Sequence, residues 1–207
     1  MAPKKKLLKD IAYEKIKEKV LMGDDDYTSE NVLVEELQMS RTPIREALQR
    51  LEHDGFIKIL PNQGIAIPQL SVKEMNDIAD YRIAIETASL KQAVHLLLPD
   101  DFAELEHLIR LQQAAAENNN VLLYLQHDVA FHLYLLRVVG NDLFVGEIEN
   151  VSARLYRLSR VMKRDPKQIF ARIEEHIRMI DLLRKKDIDG AVAEMERHLL
   201  TGKLGTY

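Results

Sequence analysis

Residues 40–55 read Ser-Arg-Thr-Pro-Ile-Arg-Glu-Ala-Leu-Gln-Arg-Leu-Glu-His-Asp-Gly. At about 3.6 residues per turn this stretch predicts an amphipathic helix. Its apolar face consists of Ile44, Ala47, Leu48 and Leu51. Arg41, Arg45 and Gln49 recur at every fourth position on the opposite face. Ser40 or Thr42 can cap the start of the helix, and Pro43 is tolerated in its first turn. Gly55 can end the helix. In the DNA major groove arginine side chains recognise guanine and glutamine side chains recognise adenine, so this exposed face could bind DNA. The alternative is that it is an ordinary charged face in contact with solvent.

The flanking sequence favours the DNA-binding interpretation. Ser29 to Leu37 predicts a second short helix, and only residues 38–40 separate it from the first. Two short helices joined by a tight turn form the helix-turn-helix pattern. Residues 56–60 and 65–67 predict two strands around the turn Pro61-Asn62-Gln63-Gly64, which is the β-hairpin of a winged helix.

These motifs resemble the GntR family of bacterial transcription regulators. The resemblance covers roughly residues 10–68 and rests on Ser-Arg-Thr-Pro-Ile-Arg-Glu-Ala-Leu at 40–48, Leu51, Gly55 and the wing glycine Gly64. It includes a first helix predicted over 11–22. The resemblance implies DNA contacts from Ser40, Arg41, Thr42, Arg45, Gln49 and Gly64. Relatives usually carry glycine where Gln38 stands, so we expect Gln38 to be left-handed at a cost of about 1–2 kcal/mol.

Length and composition indicate a globular protein of two modest domains. The chain has 207 residues, of which 46% are hydrophobic and 30% charged. We expect a DNA-binding domain at 1–68, a linker at 69–71 and a second domain at 72–207. Cysteine is absent, which fits a cytoplasmic protein, and neither a signal peptide nor a membrane-spanning run is predicted. The net charge is −4, so any DNA contact must come from a local patch.

The second domain is predicted to be an all-α antiparallel six-helix bundle, so the fold class is mainly α. Ser71 and Glu74 form a capping box that starts its first helix. Short polar or proline-containing connections separate the later helices. The predicted spans are 72–98, 101–117, 121–139, 142–163, 166–186 and 188–201.

Ionisable residues interrupt the apolar stripes of three of these helices. Asp128 and His132 lie one turn apart on the third helix, His176 lies on the fifth and His198 on the sixth. Buried charges need partners, and one divalent transition metal ion, zinc or nickel, would satisfy all four side chains. For any single histidine the alternative is a core imidazole bonded to a backbone carbonyl. The remaining histidines lack this placement and are predicted to be surface or structural: His53, His95, His107 and His127.

The same pattern resembles the FCD effector domain found in the FadR-like branch of GntR regulators. That family's metal ligands, an Asp-x-x-x-His pair and two later histidines, correspond to Asp128, His132, His176 and His198. Six helices instead of seven resemble the shorter, vanillate-repressor-like subgroup. Arg82 lies on the inward stripe of the first bundle helix, where it either binds a carboxylate or pairs with Glu86. Asn150 and Arg154 are further candidates for binding an effector.

The sequence therefore predicts a ligand-responsive, DNA-binding transcription regulator that acts as a homodimer on double-stranded operator DNA. Its effector would be a small organic acid whose carboxylate binds the metal. The alternative is a metal-dependent hydrolase or oxygenase with an accessory helix-turn-helix. Against this alternative, no inward Glu or Ser stands at a spacing that identifies a general base or nucleophile. A helical protein-interaction module would leave the inward quartet unexplained.

Overall fold

The computed structural model describes residues 7–23, 25–68, 71–156 and 166–201. The chain divides into an N-terminal unit, Met1–Gln69, and a C-terminal unit, Leu70–Tyr207. In the part that is described, no helix is both long enough and apolar enough to span a bilayer.

The N-terminal unit is a winged helix-turn-helix, as predicted. Its elements are α1 (Leu8–Met22), β1 (Tyr27–Thr28), α2 (Glu30–Leu37), α3 (Arg41–His53), β2 (Lys58–Leu60) and β3 (Gly64–Ala66). The antiparallel sheet has the order β1-β3-β2, with Ile59 opposite Ile65 and Tyr27 opposite Ala66. Strand β1 was not predicted, because two residues are too few to show a period of two. Only pairing with β3 makes them a strand.

The core of this unit lies between α3 and the two helices that precede it. All four predicted apolar residues of α3 are buried, and α3 packs on α1 and α2. Helix α1 buries Ala12, Ile16 and Val20. On α2, Leu33 is fully buried whereas its neighbour Val32 is 40% exposed. Residues 32–34 are all apolar, and one helix face cannot turn three consecutive side chains inward.

Two backbone positions shape the turns on either side of α3. Gln38 has φ 53° and ψ 42°, which confirms the predicted left-handed conformation. Its side-chain amide donates to the Glu35 carbonyl at 2.7 Å. Gly64 has φ +104°, and a Cβ atom there would lie 2.9 Å from the Thr28 carbonyl oxygen. Gly64 therefore permits the close approach of β1 and β3 at the wing.

The C-terminal unit is a helical bundle. Its described helices are α4 (Val72–Leu96), α5 (Pro99–Glu117), α6 (Val121–Val139), α7 (Asp142–Leu155), α8 (Pro166–Arg184) and α9 (Ile188–Leu200). The capping box of Ser71 and Glu74 is present as predicted. Helix α5 begins two residues earlier than expected, because Pro99 occupies its first turn and Asp101 accepts from the Leu98 amide. The predicted end of α7 at 163 falls in residues 157–165, outside the described part of the chain.

Helix α6 is central to this bundle. It packs against α4, α5 and α7, while α8 packs on α5 and α9, and α9 packs on α4. Tyr124 and Phe131 of α6 are fully buried in the main apolar cluster. The inward faces of α4, α6, α8 and α9 thus surround one region of the core.

Candidate metal centre and nucleic-acid interface

The structure brings the four predicted metal-binding side chains together. One ligand atom from each of Asp128, His132, His176 and His198 lies within 4.8 Å of the others, and all four residues are buried. The three histidine Nε2 atoms are separated by 3.2 Å (132–198), 3.3 Å (132–176) and 3.2 Å (176–198). Asp128 oxygens lie 4.0 Å from His132 Nε2 and 3.8 Å from His176 Nε2.

Each histidine of the quartet has an acceptor beside its other ring nitrogen. His132 Nδ1 lies 2.7 Å from Glu86 Oε2, and His198 Nδ1 lies 2.8 Å from Glu175 Oε2. His176 Nδ1 lies 2.9 Å from Gln112 Oε1. These acceptors favour the tautomer with the proton on Nδ1, which leaves the lone pair on Nε2. Three lone pairs and a carboxylate then face one another, and a metal cation is the group that this donor set fits.

The electrostatics of three quartet residues, His176, His198 and Asp128, favour the protonation states that bind a metal ion. Burial lowers the pKa of His176 to about 3, although Asp128 opposes the shift. Burial, and then Arg172, hold the pKa of His198 well below its ordinary value. Burial alone would raise the pKa of Asp128, but His132, then His176 and the guanidiniums of Arg172 and Arg82, lower it. At neutral pH His176 and His198 are therefore neutral imidazoles and Asp128 is an ionised carboxylate, the forms that bind metals.

Arg82 is engaged in the ion pair that was the alternative to carboxylate binding. Its Nε lies 2.5 Å from Glu86 Oε1, and both side chains are buried. Burial opposes the ionisation of Glu86, but Arg82 and then His132 bring its pKa to about 2. Arg82 therefore acts on His132 through an ionised Glu86. Two glutamates near the quartet, Glu86 and Glu175, are buried, although neither had been identified from its spacing as a general base.

Those two glutamates lie behind the imidazoles, at Nδ1, and not among the converging Nε2 atoms. Sequence periodicity missed Glu175 because it is one residue away from the stripe position His176. Glu86 was noticed only as a partner of Arg82, and Gln112 was not noticed. Gln112 is fully buried and occupies the stripe of α5 after Leu105 and Leu108, so helical spacing could have identified it as inward.

Arg172 is a further residue that the sequence reasoning missed. Its Nη2 lies 3.4 Å from His198 Nε2, and its Nη1 donates to Thr201 Oγ1 at 3.2 Å. The signal was its position four residues before His176, which places both side chains on one face of α8. Tyr124 has the same spacing from Asp128 on α6, and its hydroxyl donates to Asp128 Oδ1 at 3.1 Å.

Another predicted effector-binding residue, Asn150, is not brought to the quartet. Asn150 is exposed and lines an open groove of about 350 Å³ together with Tyr81 and Glu147. The period of α7 turns Ile148 and Ser152 inward, which leaves Asn150 on the outer face. The side chain of Arg154 lies outside the described residues. The remaining histidines agree with their predicted surface or structural placement: His53, His95 and His107 are exposed, and His127 is half-buried.

The predicted DNA-reading edge of α3 is exposed. The side chains of Arg41 and Arg45 are 60% and 62% exposed, and both contact Glu30, the first residue of α2. Arg41 Nη1 lies 3.0 Å from Glu30 Oε1, and Arg45 Nε lies 2.8 Å from Glu30 Oε2. This pairing was not predicted. Exposed polar side chains extend the edge in both directions: Ser40, Thr42 and Gln49.

Comparison with known proteins agrees with both halves of this description. Residues 8–67 match "Bacterial regulatory proteins, gntR family", and residues 77–201 match "FCD domain". The HTH-type transcriptional repressor RspR of Escherichia coli (strain K12) is 28% identical over 174 residues, covering 83% of this chain and 75% of that protein. The matched families and relatives are transcription regulators, so the alternative interpretation as a hydrolase or oxygenase is wrong.

Solved structures show the same fold. E. coli McbR/YncC has a TM-score of 0.75 at 23% identity, covering 95% of both chains. A GntR transcriptional regulator from Rhodococcus sp. RHA1 has a TM-score of 0.79 at 17% identity, covering 96% of this chain and 98% of that one. The chain therefore belongs to the GntR family of bacterial transcription regulators, with an FCD domain following its winged helix-turn-helix.

Proposed function

We propose that this regulator binds a divalent metal ion and a small organic acid in its FCD domain, and that the acid modulates operator binding by a homodimer. One observation carries the proposal. Three buried Nε2 atoms converge within 3.3 Å beside a carboxylate, while all three Nδ1 atoms face acceptors. Without a cation this arrangement would place lone pairs against one another in the core.

The proposed metal ligands are Asp128, His132, His176 and His198. Three imidazoles and one carboxylate suit zinc or nickel. Glu86, Gln112 and Glu175 would hold the imidazoles in their ligating orientation. The bound ion would supply a Lewis-acidic position at which a carboxylate of the effector binds.

The proposed DNA contacts come from the exposed edge of α3, namely Arg41, Arg45 and Gln49, with Ser40 and Thr42 at its start. Their donors can reach base edges or phosphates in the major groove. Gly64 would allow the wing to approach the DNA backbone. A twofold dimer would place two α3 helices on half-sites about 34 Å apart, as helix-turn-helix dimers do. Operator binding places this activity in the cytoplasm.

The effector and the operator are proposed to be coupled. Helix α4 follows the winged helix directly in the sequence and carries Arg82 and Glu86. Arg82 pairs with Glu86, and Glu86 in turn contacts His132. Coupling free energies between ligand sites are typically about 1–3 kcal/mol, so the acid should change operator affinity by roughly 5–150-fold. Thermodynamic linkage requires operator DNA to change the affinity for the acid by the same factor.

Metal content tests the first part of the proposal. Protein purified without chelators or metal-affinity resin should contain about one transition metal ion per chain by elemental analysis. His132→Ala should lose the metal and melt at a lower temperature, because a bound ion stabilises the folded state alone. His127→Ala, on the same helix but outside the quartet, is the matched control and should keep the metal. Absence of stoichiometric metal from the parent protein would refute the metal centre.

Operator titration tests the second part. Small carboxylates are first screened by thermal shift on the metal-loaded protein, and fluorescence anisotropy then measures operator affinity with and without the best ligand. The expected result is a change of at least fivefold. An acid that binds tightly but changes operator affinity less than twofold would show that the metal site has another purpose.

A further inference from the structure

Glu30 holds two arginines of the proposed DNA-reading edge of α3 at the same time. Its Oε1 accepts from Arg41 Nη1 at 3.0 Å, and its Oε2 accepts from Arg45 Nε at 2.8 Å. Glu30 is the first residue of α2, and its side chain is 25% exposed, whereas both arginine side chains are more than half exposed. The hydrogen bond from Arg45 lowers the pKa of Glu30, so the carboxylate is ionised at neutral pH. An anion therefore lies against the edge that is proposed to meet DNA.

The contacts with Glu30 restrain both guanidiniums without consuming all of their donors. A guanidinium has five N–H groups, and each of the two contacts uses one of them. In Arg45 the contact is made by the inner nitrogen, Nε. The fork of Nη1 and Nη2 at the end of that side chain is the part that can bind the O6 and N7 atoms of guanine. Arg45 is therefore oriented before DNA arrives, so less side-chain freedom is lost on binding.

A phosphate and a base edge differ in how well they combine with this carboxylate. A phosphate is anionic, so an arginine that binds it either brings two negative charges together or separates from Glu30. The edge of a guanine is neutral, so Arg45 can bind it and stay paired with Glu30. Non-operator DNA offers mainly phosphate contacts, whereas an operator also offers the matching base. Glu30 therefore disfavours binding to non-operator DNA more than binding to the operator.

We propose that Glu30 determines the specificity of DNA binding: it positions Arg45 for a base edge and disfavours binding through phosphates alone. The inference rests on the proposed DNA contacts of α3 and adds a positioning residue from α2 that acts through the arginines and contacts no base itself. The preferred partner is duplex DNA with a guanine opposite Arg45. Removing the charge of Glu30 should therefore lower the ratio of operator affinity to non-operator affinity.

The test uses the full-length protein and two duplexes. One is the sequence that the parent protein enriches from a random library, and the other is a scrambled duplex of the same length and base composition. In Glu30→Gln, fluorescence anisotropy should show tighter binding to the scrambled duplex and an affinity ratio about 5- to 150-fold lower than that of the parent. This range corresponds to the roughly 1–3 kcal/mol of discrimination that a bidentate arginine–guanine contact provides. A selection repeated with Glu30→Gln should lose its preference at the same base pair as one with Arg45→Ala.

Two further variants separate the position of the carboxylate from its charge. Glu36→Gln makes the same charge change on α2, at a carboxylate that pairs with Lys19, and its affinity ratio should stay within twofold of the parent value. Glu30→Asp keeps the charge on a side chain one methylene shorter and should give an intermediate ratio. It also replaces Glu30→Gln in the comparison if the glutamine variant fails to fold.

The possible failures of the inference and of the proposed function give different results. An affinity ratio within twofold of the parent in Glu30→Gln, together with a lowered ratio in Arg45→Ala, would overturn the inference and leave the DNA-binding edge standing. Parental operator affinity in both Arg41→Ala and Arg45→Ala would overturn the proposed DNA contacts and this inference with them. A parent protein that enriches no sequence from the library would refute operator recognition itself.

Discussion

Replacing Gln112 by methionine tests the argument that outer acceptors fix the histidine tautomers. Gln112 is fully buried, accepts from His176 Nδ1 at 2.9 Å and donates to the His127 carbonyl at 3.2 Å. Methionine fills a similar volume but offers no strong acceptor. The Nδ1 proton of His176 is then unpaired, and the preference for the tautomer with a free Nε2 lone pair is weakened.

Two magnitudes follow from this contact. A buried donor left without a partner costs about 1–3 kcal/mol, so the metal-free variant should lose that much free energy of unfolding. Loss of an outer-shell partner typically weakens metal binding by about 10- to 100-fold, which corresponds to about 1.4–2.8 kcal/mol of binding free energy. The variant should therefore show both defects, with the second measured as a ratio of dissociation constants.

Urea unfolding of chelator-treated protein measures the first quantity, and competition with a chelator of known affinity measures the second. Gln113→Met is the matched control, because Gln113 is the half-buried neighbour of Gln112 on α5. Its metal affinity should equal that of the parent. If Gln112→Met binds metal within threefold of the parent, the tautomer argument is wrong, even if the quartet itself binds metal.

Two other predictions concern DNA affinity and acid stability. If Arg45 contacts a base, Arg45→Ala should cost about 1–3 kcal/mol of operator-binding free energy, which an anisotropy titration measures. If both Arg45→Ala and Arg41→Ala bind operator DNA as tightly as the parent protein, α3 is not the recognition helix. The metal-free protein should lose stability as the pH falls from about 6.5 towards 3, because the unfolded chain protonates its histidines in this range whereas the folded protein keeps the pKa of His176 at about 3. Urea unfolding at several pH values measures this dependence, and a flat profile, or an unchanged slope in His176→Gln, would contradict it.

The grouping of the four quartet residues could be predicted from the sequence because each member lies on an apolar stripe of its own helix. Asp128 and His132 keep the spacing of the inward face of α6, and His176 and His198 do so on α8 and α9. Period alone turns such residues towards a common core. Helical periodicity does not predict which atoms of different helices come into contact. The contact between His176 and Gln112, which are 64 residues apart, is known only from the packing of α5 on α8.

Features that depend on contacts between elements were the ones missed. Strand β1 exists through its pairing with β3, and its two residues carry no signal of their own. The contacts of Glu30 with two arginines of α3 arise from the turn that Gln38 makes in a left-handed conformation. Asn150 lies away from the quartet for a different reason: it is next to Val151, which packs on the core, and one residue along a helix rotates a side chain by about 100°.

The contacts of Glu30 have a consequence for how DNA affinity depends on ionic strength. An unpaired arginine on a protein surface attracts mobile anions, and DNA phosphates attract mobile cations. Binding releases these ions, so DNA affinity is higher at low salt concentration than at high salt concentration. Arg41 and Arg45 already share a tethered carboxylate that cannot diffuse away. Each arginine that leaves Glu30 for a phosphate exchanges one fixed anion for another, and Glu30 then remains as a nearby negative charge. The logarithm of operator affinity should therefore fall less steeply with the logarithm of salt concentration than two unpaired arginines would produce.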